Sequence, residues 1–146
     1  MQSENARLIL DTSITAEWAL RSSSPTAMQL ADTALEHVHR HGALIPPLWH
    51  YEHANVMAMA LRRGKLTEDE LHTVNRMQQS LNIETDEFPL PDLMPALRRL
   101  AREHRLTVYD AAYLELAQRH GLLLATLDVE LAAAAQALRI PLLQLD

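Results

Sequence analysis

The chain contains no cysteine, which excludes a disulfide framework and any thiolate-held metal. Its single lysine, Lys65, lies in a helix-end segment, so the lysine that a phospho-receiver module places after a late strand is missing. Glycine occurs only three times among 146 residues while hydrophobic content reaches 48%, a balance that argues against disorder. No apolar run approaches the roughly 20 residues of a membrane-spanning helix, and the polar "MQSENAR" lacks the apolar centre of a signal peptide. The expectation is a cytoplasmic protein without a membrane partner. Basic charge is also scarce: the formal net charge is -6 and the pI about 5.7, which points away from an overall basic nucleic-acid binder. Acids gathered in one site would produce the same imbalance, and a bound divalent cation would reverse the local field.

A chain of this length suits one domain, residues 1–146, able to bury roughly 70% of its unfolded surface. Short apolar runs alternate with helical patterns throughout. "RLIL" reads as a strand, followed by helices over "ITAEWAL" and "TAMQLADTALEHVHRHG", the second stopped by Gly42. "ALI" is the next strand, and Pro46-Pro47 opens a helix that Gly64 ends. Thr67 and Glu70 form a capping box for a helix over "EDELHTVNRMQQSL". "IETDEF" reads as a strand, and a helix runs from Asp92 to about His104, its start restricted by Pro95. "LTVYDAAYLELA" opens the next helix; "LLLAT", "VELAAAAQAL" and "PLLQL" then read as strand, helix and strand. Strands separated by helices imply right-handed crossovers, hence an α/β fold of three layers: a central parallel sheet of about five strands with helices on both faces.

In such folds ligands bind outside the carboxyl ends of the strands. Asp11 follows "LIL" directly and Asp128 comes two residues after "LLLAT", so two acids leave two strands at that edge. Both also suit helix N-caps. Glu52 falls on an apolar stripe with Leu48, Val56 and Met59, facing inward or toward a rim, with Asn55 one turn on to orient it and an arginine as a possible partner. Asp110 stands in the first turn of an otherwise apolar helix, where Thr107 and Asp110 form a T-x-x-D box. A cap and a ligand role are both open to it. If the four acids meet, they need a counter-charge, because two carboxylates about 4 Å apart repel by roughly 4 kcal/mol at an effective dielectric of about 20. Mg2+ or Mn2+ prefers such oxygen ligands, and the chemistry implied is metal-assisted phosphodiester hydrolysis.

The histidines offer weaker sites. In "HVHRH", His37 and His41 share a helical face but His39 points away, and two imidazoles make a poor zinc site. "HYEH" is one residue short of a zinc-protease signature, and a zinc deaminase would need cysteines. A D-x-D phosphatase fails at Ser13. Trp18 and Trp49 read as core. The basic stripes Arg98, Arg102, Arg105 and Arg62, Arg63, Lys65, taken singly, read as solvated faces.

The pieces "LDTSITAEWAL", "PPLWHYEHANVMAMALRRGKL" and "LTVYDAAYLELAQRHGLLLATLD", in this order, resemble the PIN-domain family and particularly the VapC-type toxins of bacterial toxin-antitoxin pairs. The likeness runs from about Leu8 to Leu143, and "YDAAYLELA" followed by "LATLD" is its most specific part. The resemblance implies a Mg2+- or Mn2+-dependent ribonuclease that dimerises and is neutralised by a small antitoxin. It places Asp11, Glu52, Asp110 and Asp128 on the metal-binding acids and Ser13 and Thr126 on the small hydroxyl positions beside them. Many relatives carry a further aspartate where this chain has Glu130, which leaves an outer-ligand role and a helix N-terminal role both open there. The competing implication is a catalytically inactive PIN-fold module that binds RNA or protein without cutting.

Overall fold

The structure, a computed structural model, describes residues 6–146; the polar "MQSEN" at the start lies outside the described residues. Its elements are β1 (Leu8–Leu10), α1 (Thr12–Leu20), α2 (Pro25–His41), β2 (Ala43–Ile45), α3 (Leu48–Arg62), α4 (Glu68–Gln79), β3 (Ile83–Thr85), α5 (Leu90–His104), α6 (Val108–His120), β4 (Leu124–Ala125) and α7 (Val129–Ala137). The strands form one parallel sheet in the order β3-β2-β1-β4, with Ile9 opposite Leu44 on one side and Leu124 on the other. Every residue of β1 and β2 is buried, so both faces of the sheet are covered, as an apolar parallel sheet requires. Helices α2 and α6 both pack against β1. No helix among the described residues is long and apolar enough to cross a membrane.

Among the described residues the sheet has four strands rather than the expected five or so. "PLLQL" contributes a single parallel bridge, Leu142 opposite Leu124, held by the Leu124 amide on the Pro141 carbonyl at 3.0 Å and the Leu143 amide on the Leu124 carbonyl at 2.9 Å. Pro141 has no N–H to extend the ladder, and β4 is itself only two residues long. "IETDEF" likewise stops being a strand at Thr85. Helix α1 starts two residues earlier than its apolar pattern suggests, directly after Asp11. Helix α5 starts at Leu90, because Pro91 falls in its first turn, where an absent N–H costs nothing, and Pro95 is tolerated inside it.

Local signals set the other boundaries. Ser24 accepts from the Ala27 amide at 3.2 Å, the Thr67–Glu70 capping box forms in both directions, and the Thr107 hydroxyl accepts from the Asp110 amide at 3.1 Å. Gly42 turns α2 into β2 with φ +85°, and a Cβ there would stand 2.9 Å from the Asn82 carbonyl oxygen. Only glycine lets the chain pass that close to the entry of β3. Trp18 and Trp49 are core residues, and the Trp18 indole donates to the Ala31 carbonyl at 2.8 Å.

Candidate active site

Asp11, Asp128 and Asp86 leave the carboxyl ends of β1, β4 and β3, and the three are treated differently. Asp86 is neutralised: Arg119 donates to both its oxygens at 3.1 and 2.5 Å, and Phe88 covers the guanidinium at 4.7 Å. Burial would raise the Asp86 pKa, but the hydrogen bond and charge of Arg119 outweigh it and hold the carboxyl below its usual value. Asp11, Glu52, Asp110 and Asp128 take part in no salt bridge among the described residues.

Asp11 occupies the N-cap position of α1, with extended φ -74° and ψ 148°, yet its side chain makes no cap hydrogen bond. Its Oδ2 instead accepts from the hydroxyls of Ser13 at 2.6 Å and Thr126 at 2.7 Å. Ser13 Oγ in turn accepts from the Leu127 amide at 2.9 Å, and Thr126 Oγ1 from the Asp128 amide at 3.0 Å. Each hydroxyl therefore has its proton on Asp11 and a lone pair on the β4–α7 turn. The two hydroxyls stitch the ends of β1 and β4 together. Asp11 is 6% exposed, and burial pushes its carboxyl above the usual range; the two hydroxyls oppose the rise and the charge of Asp128 adds to it.

Asp128 does cap its helix: Oδ1 accepts from the Glu130 and Leu131 amides at 2.9 and 3.0 Å. Asp110 lies in the first turn of α6 and is half-buried. Burial raises its pKa first, followed by the charges of Asp128, Asp11 and Glu52, with the Thr107 hydroxyl opposing. All four acids thus lie within one electrostatic neighbourhood at the sheet edge.

Glu52 reaches that neighbourhood from α3, whose buried stripe is Trp49, His53, Met57 and Ala60 rather than the stripe read from the sequence. Glu52 sits on the flank, half-buried, on the rim side of the two sequence alternatives. Its Oε1 accepts from Tyr113 Oη at 2.6 Å and Thr12 Oγ1 at 3.1 Å. Neither donor is singled out by sequence reasoning. The signal available was the placement of Tyr113 one turn after Asp110 in an apolar run, since a buried tyrosine needs a partner for its hydroxyl. Asn55 is exposed, lines a separate surface hollow with Leu20, Met59 and Lys65, and makes no hydrogen bond to Glu52. Glu130 is exposed and lines a groove with His104 and Arg105.

A common pattern emerges. Asp11, Glu52 and Asp128 are each held through one oxygen by two protein donors, and among the described residues their other oxygens, Oδ1, Oε2 and Oδ2, accept no hydrogen bond. No group of three or more His, Cys, Asp or Glu among the described residues stands close enough to make a ready ligand cage. The donor set fits a hard divalent cation that keeps several waters and takes single carboxylate oxygens, not one enclosed by protein. The histidines are occupied elsewhere: His37 contacts the Ala6 carbonyl at 2.7 Å, His50 contacts Thr85 at 2.8 Å, and His53 stacks on Trp49 at 4.8 Å.

Comparison with known proteins adds to this geometry. The PIN domain sequence profile matches residues 8–137. Ribonuclease VapC3 of Pyrobaculum aerophilum is 39% identical over 95 residues, spanning 62% of this chain and 70% of that protein. The crystal structure of PAE2754 from the same organism superposes with a TM-score of 0.62 at 27% identity, over 88% of this chain and 86% of the other. FitAcB from Neisseria gonorrhoeae gives a TM-score of 0.60 over 94% and 96% of the two chains, at an identity of 18% that speaks to the fold alone.

Proposed function

The chain belongs to the PIN domain family, and on that premise we propose that it is a Mg2+- or Mn2+-dependent ribonuclease and the toxin of a toxin-antitoxin pair. The observation that carries the reading is the set of four adjoining acids without a cationic partner among the described residues, in a fold that neutralises another strand-end acid, the half-buried Asp86, with Arg119. Such a set repels itself unless a cation joins it.

In this reading Asp11, Asp110 and Asp128 hold the ion, directly or through water. When bound, the ion supplies charge neutralisation and an activated water for in-line displacement at phosphorus. Glu52 completes the pocket and positions the attacking water. Ser13 and Thr126 orient Asp11 by the hydrogen bonds described above. The RNA reading draws support from Arg98 and Arg102 on the exposed side of α5 and Arg105 at its C-cap, which are exposed and enter no salt bridge among the described residues, just before the turn that leads to Asp110.

The partners in this reading are an RNA substrate, a cognate antitoxin that offers a basic side chain to the acids, and a second copy of the chain. A face for the second copy is suggested by the apolar groove lined by Pro47, Leu90, Leu93, Val108 and Tyr109, of which Leu90, Val108 and Tyr109 are exposed. We take residues 1–146 as a single domain working in the cytoplasm.

The toxin reading has a direct test in cells. Expression of the chain alone is expected to arrest growth, and Asp110→Asn to abolish the arrest. Harmless wild-type expression in several hosts, with no copurifying partner, would remove its support. A PIN-fold binder that does not cut predicts arrest, if any, that survives Asp110→Asn.

A further inference from the structure

We propose that Tyr113 and Thr12 are positioning residues that lock Glu52 to the frame of the other three acids. Tyr113 is 0% exposed, and among the described residues its phenol oxygen meets two partners, Glu52 Oε1 at 2.6 Å and Thr12 Oγ1 at 2.9 Å. Thr12 Oγ1 lies 3.1 Å from the same Glu52 oxygen, so three oxygens from three helices close a triangle.

The protons order this triangle. With Glu52 ionised, only two hydroxyl protons serve three contacts, so only two of the contacts are hydrogen bonds at any moment. The shortest contact assigns the phenol proton to Glu52, and the Thr12 proton goes to the phenol oxygen or to Oε1. In either arrangement Oε1 is the acceptor and is fixed, and Oε2 is the oxygen left for the site. A glutamate on a half-exposed helix flank would otherwise sample several rotamers, at an entropic cost on each productive encounter.

The placement of the two donors in the chain gives the clamp its purpose. Thr12 is the residue next to Asp11, and Tyr113 lies one helical turn after Asp110 on α6. The side chains that hold Glu52 are therefore built into the segments that carry two other site acids, and Glu52 cannot shift without regard to them. Orientation of this kind matters to catalysis because a misplacement of about 1 Å can cost on the order of a hundredfold. The kinetic part of this inference rests on the ribonuclease reading; the orientation of Glu52 does not.

The test uses Tyr113→Phe, which keeps the ring and removes the hydroxyl, and Thr12→Val as an independent second variant. Side-chain carboxyl relaxation is measured by NMR in chelator on protein with isotope-labelled glutamate, the Glu52 signal being assigned from Glu52→Gln. In wild type the Glu52 carboxyl is expected to be ordered; in Tyr113→Phe, where Thr12 is the donor that remains, it should become clearly more mobile, moving toward the mobility of exposed Glu87. RNA cleavage should show kcat down about tenfold to a hundredfold with KM for RNA unchanged, as expected for loss of a hydrogen bond to a charged group. Thr12→Val should act in the same direction, and Thr12→Ser, which restores the hydroxyl, should recover most of the loss. A Glu52 carboxyl equally ordered in wild type and both variants overturns the inference, as does an unchanged kcat in protein that cuts RNA. If wild type does not cut, the ribonuclease reading fails, and the relaxation comparison alone decides the clamp.

Discussion

The Thr126 hydroxyl donates to Asp11 Oδ2 at 2.7 Å across 115 positions of sequence while accepting the amide of Asp128 at 3.0 Å. One small side chain thereby fixes two strand-end acids at once. Thr126→Val preserves shape but leaves a buried carboxylate short of a donor and the Asp128 amide short of an acceptor. A loss of about 1 to 3 kcal/mol in urea unfolding is expected. Ser13→Ala should cost a similar amount, and the double variant should depart from additivity because both hydroxyls serve one oxygen.

The raised pKa values of Asp11 and Asp110 give the metal-free protein a distinctive pH dependence. A carboxyl whose folded pKa exceeds its unfolded value favours the fold when protonated. Its contribution is fully present below 3.8, the usual value, and is lost as pH rises through the folded pKa. Asp86 works the other way: its contribution is present above 3.8 and is lost as pH falls through its depressed folded value. His53, whose pKa burial lowers, likewise favours the fold above 6.5 and loses that contribution on acidification. Comparing wild type with Asp110→Asn in chelator isolates the site acid. The variant's stability advantage should be greatest at neutral pH and shrink as pH falls toward 3.8. An advantage independent of pH would separate Asp110 from its acidic neighbours.

Asp11→Asn and Asp128→Asn should melt at or above the wild-type temperature in chelator, since each removes like-charge repulsion, while the amide oxygen at 128 still caps α7 and the one at 11 still accepts from Ser13 and Thr126. Added Mn2+ should stabilise wild type by about 2.7 kcal/mol at a hundredfold excess over its dissociation constant, and the two variants by less. A wild-type melting temperature indifferent to Mn2+, with neither variant gaining in chelator, would mean that the acids do not share a cation.

Arg102→Ala and Arg105→Ala should weaken RNA binding to a similar degree for different sequences. Each should also reduce the steepness of the salt dependence by about one counterion equivalent. Binding measured against salt concentration distinguishes this from a solvated face, which leaves the slope unchanged.

Much of the sheet edge was legible because Asp11 and Asp128 each closely follow a short apolar strand signal, at the carboxyl ends of β1 and β4. Asp110 was legible through Thr107, since a cap motif is local in sequence, and the structure shows the Thr107 half of it. Glu52 was harder. A helical pattern gives the spacing of a stripe but not which of two adjacent stripes faces the core, and here His53, not Glu52, lies in the buried one. Asn55 is close to Glu52 along the helix but exposed in a separate hollow. The partners that Glu52 does have come from positions 40 and 61 residues away, a relation that no periodicity encodes. The fifth strand failed for a related reason: apolar character marks "PLLQL" as able to pair, while Pro141 and a two-residue neighbour limit how far pairing goes.

The central claim is that the four acids form one metal-dependent centre for cutting RNA. The most direct measurement is RNA cleavage by purified protein with Mn2+ added or removed by chelator, with Asp110→Asn run beside it. Cleavage by wild type that requires Mn2+, and its loss in a folded Asp110→Asn protein, is the expected result. Cleavage that persists in chelator, or that Asp110→Asn retains at the wild-type rate, would contradict the account.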